Sequence, residues 1–331
     1  MSRVLRGSVI GLGAMGQKHL RVCAQLRDVE LVGLAALDGP QRKDLVFNKP
    51  VPIFADYEQM IDETKPDFAI VVVPTDFHAE VAIGAMRKGV HVLVEKPIAK
   101  TLEEAEEMIR VSEETGCKLM IGHIERFNSA LDVVKKRLDS GDLGQLFYAH
   151  ATRLSPYPVR IQDVGAILDL AIHDIDLLHY LTGSSVSSLH GELHSKVQKG
   201  REDLVSALMR YDNGVVGVLQ VGWLSPRRIR SVAVIGEGGL IVADTMNSEV
   251  TWTQNGHGFD AWAPGTLYSG ALEGDTIKLD VQPVNALMAE QEAFVKAIVE
   301  DQVPIITGED GLAALKVASD LLESCGKLAA R

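Results

Sequence analysis

Apolar and polar residues alternate in blocks over the first third of the chain. Short apolar runs, of which residues 68–73 are the most strand-like, are separated by stretches with apolar residues at helical spacing, such as residues 102–115. Strands that alternate with helices indicate a parallel sheet with right-handed crossovers. The pattern therefore predicts an α/β class fold that begins with a Rossmann-type, doubly wound domain.

The pattern changes near residue 123. Residues 186–253 read as strands joined by tight turns, residues 254–279 as a loop rich in glycine and polar residues, and residues 285–300 and 309–328 as two helices. Strands joined by tight turns favour an antiparallel or mixed sheet. We predict a dinucleotide-binding domain over residues 1–123. An α+β domain with an open, mostly antiparallel sheet follows over residues 124–331.

Composition narrows the function classes. A length of 331 residues suits two domains, and the net charge of −12 argues against binding to nucleic acid or to an anionic membrane surface. The three cysteines lie far apart and form no zinc motif, so we expect no metal and a reducing, cytoplasmic location. The first residues lack the apolar core of a signal peptide, and we expect no membrane partner.

A glycine-rich motif stands between the first apolar run and the first helical stretch. It reads Gly11-Leu12-Gly13-Ala14-Met15-Gly16. Gly11 permits the tight turn, Gly13 lets the backbone approach a pyrophosphate, and Gly16 lets the helix pack against the strand. Ala14 and Met15 begin a helix whose free N–H groups favour a phosphate. A plain tight turn is the alternative, but the strand–turn–helix context predicts a dinucleotide site.

The acidic residue that binds the adenosine ribose is expected about 20 residues after this motif. That spacing reaches Ala36, and the acidic residue is Asp38, two positions further. Asp38 would bind a 2′-hydroxyl and repel a 2′-phosphate, whereas Arg42 and Lys43 could bind that phosphate. We predict NAD as the cofactor, with NADP as the alternative, and a plain turn position as the alternative role of Asp38.

Two further motifs contain chemically active side chains. Glu95-Lys96-Pro97 follows an apolar strand, at the sheet edge where open α/β sheets bind ligands; a solvated surface turn is the alternative. Asp169 and His173 are four residues apart and share a helix face. A histidine beside a carboxylate suits general-base catalysis, although such a pair also occurs as a purely local hydrogen bond.

The combination of these motifs resembles the glucose–fructose oxidoreductase/inositol dehydrogenase/rhizopine catabolism (Gfo/Idh/MocA) family. The resemblance spans nearly the whole chain and is carried, in order, by Gly11–Gly16, Pro74-Thr75 with His78, Glu95-Lys96-Pro97 and Asp169-x-x-x-His173. It implies an NAD(P)-dependent dehydrogenase that acts on sugars, cyclitols or sugar nucleotides.

The resemblance also implies roles for single residues. Lys96 would lie beside the nicotinamide and the substrate hydroxyl, and Asp169 and His173 would flank the reacting carbinol as catalytic residues. Pro74, Thr75, His78 and Glu95 would belong to the cofactor site. The second domain would supply a wall of the substrate site and the interface of a homodimer or homotetramer.

Two arginine-containing segments, 122–128 and 153–165, are similar to the branch of this family that oxidises UDP-N-acetylglucosamine at its 3-hydroxyl. Arg126, Arg153 and Arg160, with Asn128, would then contact the substrate, because guanidinium groups pair with a diphosphate. Interdomain salt bridges are the alternative role of the arginines. An inositol-type or free-sugar dehydrogenase is the alternative enzyme, and a nucleotide-binding regulator without turnover is a remote third hypothesis.

Overall fold

The computed structural model describes residues 4–39, 50–158, 165–197, 200–256 and 273–329, the side chains of residues 325–329 excepted. The chain forms two compact units. The first unit comprises Met1–Ile124 and Asn285–Lys316, and the second comprises Glu125–Val284 and Val317–Arg331.

Six parallel strands form the sheet of the first unit, in the order β3-β2-β1-β4-β5-β6. They are β1 (Leu5–Ile10), β2 (Val29–Ala35), β3 (Ile53–Phe54), β4 (Phe68–Val71), β5 (His91–Glu95) and β6 (Leu119–Gly122). This is the doubly wound arrangement that the alternating pattern predicts. The two-residue strand β3 was missed, since it is too short to produce an apolar run.

Helices follow most of these strands. They are α1 (Ala14–Cys23), α2 (Tyr57–Thr64), α3 (His78–Arg87) and α4 (Leu102–Thr115). The bounds of α4 are set by local chemistry: Thr101 and Glu104 form a reciprocal capping box at its start, and Gly116 ends it in a left-handed conformation. The sequence predicts this helix with the same first and last residues.

The domain assignment from sequence differs from the structure at the C-terminal end. Helix α7 (Ala286–Val299) lies in the first unit, whereas the sequence placed all of residues 124–331 in the second domain. Phe294 of α7 is fully buried and meets the ring of Phe68 of β4 edge-on, with centroids 5.8 Å apart. The apolar side of α7 therefore completes the core of the first unit.

Eight strands form the sheet of the second unit, in the order β14-β13-β12-β11-β7-β10-β9-β8. They are β7 (Leu146–Pro156), β8 (Val186–His194), β9 (Leu204–Tyr211), β10 (Val216–Gly222), β11 (Leu224–Gly236), β12 (Gly239–Asp244), β13 (Glu249–Asn255) and β14 (Glu273–Leu279). Every neighbouring pair is antiparallel except β7 and β10. The prediction of an open, mostly antiparallel sheet is confirmed.

Two helices, α5 (Ser129–Asp139) and α6 (Ile172–Thr182), pack on one face of this sheet. Buried and more exposed residues alternate along β9, as expected for a sheet covered on one side. The long helix α8 (Gly308–Ala329) begins with a capping box, in which Thr307 and Asp310 exchange hydrogen bonds of 2.9 and 3.3 Å.

The loop predicted over residues 254–279 is wrong at its C-terminal end. Strand β14 pairs with β13, and Ile277 faces Trp252 across the ladder. Most of β14 is polar and exposed because it forms the edge of the sheet, so its sequence lacks the apolar run typical of a core strand. In the described part of the chain, no helix is long and apolar enough to cross a membrane.

Candidate active site

The glycine motif forms a tight turn between β1 and α1. Gly11 has a φ of +95°, and a side chain at Gly16 would place its Cβ 2.0 Å from the carbonyl oxygen of Gly11. Gly13 precedes α1 and no side chain caps the helix, while a Cβ at Gly13 would meet nothing within 4 Å. With Ala14 exposed and Met15 half-buried, the helix start is open to a ligand and fits a dinucleotide pyrophosphate.

Replacing Gly13 by alanine is expected to separate cofactor binding from folding. The added methyl group has room in the unliganded protein, so the free energy of unfolding should change by less than about 1 kcal/mol. The same methyl group occupies the space that a pyrophosphate needs, so the Kd for NAD should rise at least about tenfold. Fluorescence titration with NADH and chemical denaturation measure the two effects.

Gly16→Ala is the matched comparison for this prediction. Its Cβ would clash with backbone, so stability and NAD binding should both fall. A Gly13→Ala variant that binds NAD as tightly as the unmodified protein would contradict the assignment of the pyrophosphate site.

The predicted ribose-binding residue lies just beyond β2. Asp38 is exposed in a turn in which the N–H of Gly39 donates to the carbonyl of Ala36 at 2.7 Å. Arg42 and Lys43, which the sequence offers as a 2′-phosphate site, lie outside the described residues. The exposed carboxylate beyond β2 is compatible with a ribose 2′-hydroxyl.

Lys96 directly follows β5, at the sheet edge where β1 and β4 also end. It is half-buried, and the Lys96–Pro97 peptide bond is cis. The preceding Glu95 is buried, and its Oε2 accepts a hydrogen bond of 3.1 Å from the backbone N–H of Lys96. Burial alone would raise the pKa of Glu95, but the hydrogen bond from His19, followed by the charge of Lys96, lowers it. A carboxylate therefore stands beside the lysine.

The side chain of His78 is buried near this sheet edge and is not exposed on it. Its ring nitrogens lie 2.8 and 3.0 Å from the carbonyl oxygens of Pro97 and Val73. Burial lowers the pKa of His78, although both carbonyl oxygens and the charge of Glu95 act in the opposite direction. The ring thus links the segment after Lys96 to the segment that follows β4 through these two contacts. Pro74 is exposed and Thr75 half-buried, so the cofactor role stays a proposal for all three predicted residues.

In the second unit, Asp169 and His173 project from a distorted helix start. Residues Ile167–Ala171 form a π turn that continues directly into α6, and both side chains are half-exposed. The turn is anchored by Glu202, whose buried carboxylate accepts a hydrogen bond of 2.9 Å from the N–H of Ile167. π turns are rare in proteins, and many of those that occur lie at functional sites. A carboxylate and a histidine that are both partly exposed on a fixed helix start are residue types suited to proton transfer.

Arg126 is paired with Asp176, which is one of two buried aspartates of α6. Asp176 receives two hydrogen bonds from Arg126, from Nε at 2.9 Å and from Nη2 at 2.5 Å, and the guanidinium lies 4.8 Å from the ring centre of Tyr180. Only 6% of the Arg126 side chain is exposed. This geometry favours an ion pair over contact with a substrate. Because Arg126 and Asp176 both belong to the second unit, the pair is not the interdomain salt bridge that the sequence offered as the alternative.

Arg153 is held in the same way by two carboxylates of the second unit. Its Nε and Nη2 donate to Asp174 at 2.6 and 3.0 Å, and its Nη1 donates to Glu125 at 2.8 Å. Burial lowers the pKa of Arg153, but the charges of both partners outweigh burial and raise it. Asp174 is therefore buried in an ion pair with Arg153.

The last two predicted substrate contacts have different outcomes. Asn128 caps α5, since its Oδ1 accepts from the N–H of Ala130 at 3.0 Å and its Nδ2 donates to the carbonyl of Thr245 at 3.3 Å. Arg160 lies outside the described residues. Of the predicted arginine contacts, the two described ones form internal ion pairs.

Replacing Asp176 by asparagine tests the structural role of Arg126. The buried guanidinium would keep its charge without a balancing carboxylate, so the free energy of unfolding should fall by about 3 kcal/mol. Denaturant unfolding of Asp176→Asn measures the loss. The control is Asp132→Asn, which breaks an exposed pair with Lys136 and should cost less than about 0.5 kcal/mol. Unchanged stability with weaker sugar-nucleotide binding would instead assign Arg126 to the substrate.

Sequence reasoning missed a buried polar cluster next to Lys96. His19 of α1 and Glu290 and Gln291 of α7 are all buried near Glu95. The signal in the sequence was that Glu290 and Gln291 interrupt the otherwise apolar side of α7. Helical periodicity alone does not show that such residues are functional.

The glycine turn, the strand-end lysine and the Asp–His helix are each features that suit a nicotinamide-dependent dehydrogenase acting on CH–OH groups. The comparisons agree: the model described as "Oxidoreductase family, NAD-binding Rossmann fold" matches residues 5–123, and the GFO/IDH/MocA C-terminal domain matches residues 132–242. The chain belongs to the GFO/IDH/MocA family of oxidoreductases, which act on sugars or cyclitols. Its Rossmann unit is of the NAD-binding type.

Individual relatives show how far the similarity extends. The chain is 28% identical over 319 residues to UDP-N-acetylglucosamine 3-dehydrogenase of Acidithiobacillus ferrooxidans, and the alignment covers 96% of each chain. A solved structure of that enzyme covers 97% of both chains with a TM-score of 0.85. The scyllo-inositol 2-dehydrogenase (NAD(+)) of Bacillus subtilis is 27% identical over 276 residues, 78% of this chain and 80% of the relative.

Proposed function

We propose that this protein oxidises UDP-N-acetylglucosamine at its 3-hydroxyl to the 3-keto sugar. The observation that carries the proposal is the similarity to UDP-N-acetylglucosamine 3-dehydrogenase, which extends over nearly all of both chains in sequence and in fold. The strand-end Lys96 and the accessible Asp169–His173 pair provide the groups that the reaction requires.

Each of these residues has a distinct part in the proposed reaction. NAD held at the glycine turn of residues 11–16 would supply the acceptor for the hydride that leaves the carbinol carbon. His173 removes the hydroxyl proton as a general base. Asp169 orients the imidazole and favours its protonated form. Lys96 donates a hydrogen bond to the substrate oxygen and stabilises the negative charge that develops there.

The diphosphate of the substrate requires positive partners other than Arg126 and Arg153, because buried carboxylates already neutralise these two guanidinium groups. Arg160 remains the proposed diphosphate contact. Asp38 remains the proposed ribose contact of NAD.

A cyclitol dehydrogenase is the second candidate. The similarity to the Bacillus subtilis scyllo-inositol enzyme favours it, and the internal pairing of two arginines removes part of the charge that a sugar nucleotide would use. A neutral polyol would need the same Lys96, Asp169 and His173. A regulator without turnover is disfavoured because this chain has all three of these residues.

We also propose a cytoplasmic homo-oligomer. The face of the second sheet turned away from α5 and α6 exposes apolar side chains, including Leu208 and Ile235, which a second copy would cover. Light scattering after size exclusion tests the assembly: a dimer or tetramer is expected, and a monomer at micromolar concentration would contradict it.

A substrate panel separates the two candidate activities. NADH formation is followed with UDP-N-acetylglucosamine, UDP-glucose, myo-inositol and scyllo-inositol at alkaline pH with a ketone trap, because the equilibrium opposes alcohol oxidation at neutral pH. Activity with UDP-N-acetylglucosamine at a kcat/KM at least about tenfold above the cyclitols is expected. Activity with a cyclitol alone would replace the proposed substrate, and no NADH with any of them would contradict both candidates.

A further inference from the structure

A buried polar cluster connects the nucleotide-binding helix to the strand that carries Lys96. It consists of His19 from α1, Glu95 from β5, and Glu290 and Gln291 from α7, all in the first unit. His19 and Glu290 are 0% exposed, and Gln291 is 1% exposed. Polar side chains are rarely buried this completely unless they are paired.

The hydrogen bonds of the cluster fix the tautomer of His19. The amide nitrogen Nε2 of Gln291 lies 3.1 Å from the backbone carbonyl oxygen of His19, which can only accept, and 3.1 Å from Nδ1 of the same histidine. The amide is therefore the donor and Nδ1 the acceptor. The proton of the neutral ring is then on Nε2, which donates to Oε1 of Glu95 at 2.8 Å.

The second carboxyl group of the cluster has a different environment. Among the described residues, neither carboxyl oxygen of Glu290 has a hydrogen-bond partner. Burial, and then the negative charge of Glu95, raise the pKa of Glu290 well above its ordinary value. Glu95, by contrast, accepts from His19 and from the N–H of Lys96. The charge of one buried carboxylate disfavours a charge on the other, and the hydrogen bonds favour Glu95 as the charged one.

We propose that His19 and Glu290 are positioning residues for Lys96: His19 holds the Glu95 carboxylate beside the lysine, and Glu290 stays protonated so that the negative charge resides on Glu95. The proposal rests on the proposed catalytic role of Lys96. The carboxylate accepts from the backbone N–H of Lys96 and so fixes the backbone from which the lysine side chain reaches the substrate oxygen. The same histidine belongs to the helix that begins at the pyrophosphate turn, so the cluster ties the cofactor segment to the catalytic segment.

The titratable groups in this cluster and directly next to it come from four elements. They are His19 of α1, His78 at the start of α3, Glu95 and Lys96 at the end of β5, and Glu290 of α7. The test must therefore follow single groups, and it is made on the unliganded protein so that it is independent of any substrate.

The first measurement is the rate at which Lys96 is acetylated by acetic anhydride at fixed pH, read by mass spectrometry with the exposed Lys100 as the internal reference. Without the donor at position 19, burial favours the neutral form of Glu95, so its hydrogen bond to the backbone N–H of Lys96 weakens and the lysine is held less firmly. His19→Leu should increase the relative labelling rate of Lys96 by about threefold or more. His19→Gln, whose amide can donate in place of the ring Nε2, should restore a rate near that of the unmodified protein.

The second measurement is the pH dependence of stability with Glu290→Gln. In the folded protein Glu290 has a raised pKa, whereas in the unfolded chain it loses its proton near pH 4.3, so folding takes up a proton above that pH. Stability contributed by the neutral carboxyl is thus lost as pH rises from about 4.3 towards the folded pKa. The unfolding equilibrium constant should rise up to about tenfold more per pH unit for the unmodified protein than for Glu290→Gln.

The possible outcomes decide the proposal. Equal labelling of Lys96 in His19→Leu and in the unmodified protein would overturn the role of His19. Parallel stability curves for Glu290→Gln and the unmodified protein would overturn the protonated Glu290. Absence of dehydrogenase activity would refute the proposed function, and both of these measurements would remain valid.

Discussion

Replacing Lys96 by methionine is expected to lower kcat about a thousandfold and to leave the Kd for NAD within about threefold of its original value. Methionine keeps the apolar stem of the half-buried side chain and removes the donor that stabilises the developing charge on the substrate oxygen. An interaction made mainly in the transition state lowers kcat much more than it raises KM. Steady-state NADH formation and fluorescence titration with NADH measure the two quantities.

Lys100→Met is the matched control for this substitution. Lys100 belongs to the same segment, is exposed and pairs with Asp76 at 2.9 Å, so its loss should change kcat less than about twofold. A Lys96→Met enzyme with more than a tenth of the original kcat would show that this lysine is not catalytic.

Replacing His173 by asparagine is expected to lower kcat by about 10²- to 10⁴-fold at neutral pH. Asparagine has no group that can accept and carry the proton of the hydroxyl, while NAD binding in the first unit should be unaffected. The loss should shrink as pH rises, because hydroxide can then remove the proton in place of the imidazole. A pH series of kcat from pH 7 to pH 10 tests this dependence.

His179→Asn is the control on the same helix. His179 contacts the carbonyl oxygen of Ser184 at 2.9 Å near the end of α6, and its replacement should alter kcat less than about twofold. Equal effects of the two substitutions would assign His173 to helix stability instead of proton transfer. A His173→Asn loss that does not vary with pH would contradict its role as the base.

Local signals predicted most of the first unit because they act over short distances. Thr101 and Glu104 specify the start of α4 and Gly116 its end, and the structure has the helix over these residues. The place of α7 required a contact between distant segments, since the Phe294 ring packs on Phe68. No periodicity in one helix indicates which of two cores it completes.

The candidate site likewise has some features that the local sequence sets and others that depend on contacts between distant segments. The spacing of the glycines and of Asp169 and His173 is a local property, and the structure has the tight turn before α1 and a continuous helical segment that contains both Asp169 and His173. The partners of the arginines are not local: Asp176 is fifty positions from Arg126. A sequence shows that an arginine is present, but its hydrogen bonds depend on which carboxylates the fold brings to it.

The measurement that most directly tests the central claim is the transfer of deuterium from UDP-N-acetylglucosamine labelled at carbon 3. The labelled sugar is incubated with the protein and NAD at alkaline pH with a ketone trap, and the reduced cofactor is examined by mass spectrometry. The expected products are NADH that carries one deuterium and a trapped sugar that has lost it. Reduced cofactor without deuterium would place the oxidised carbon elsewhere on the sugar, and no reduced cofactor would contradict the proposed reaction.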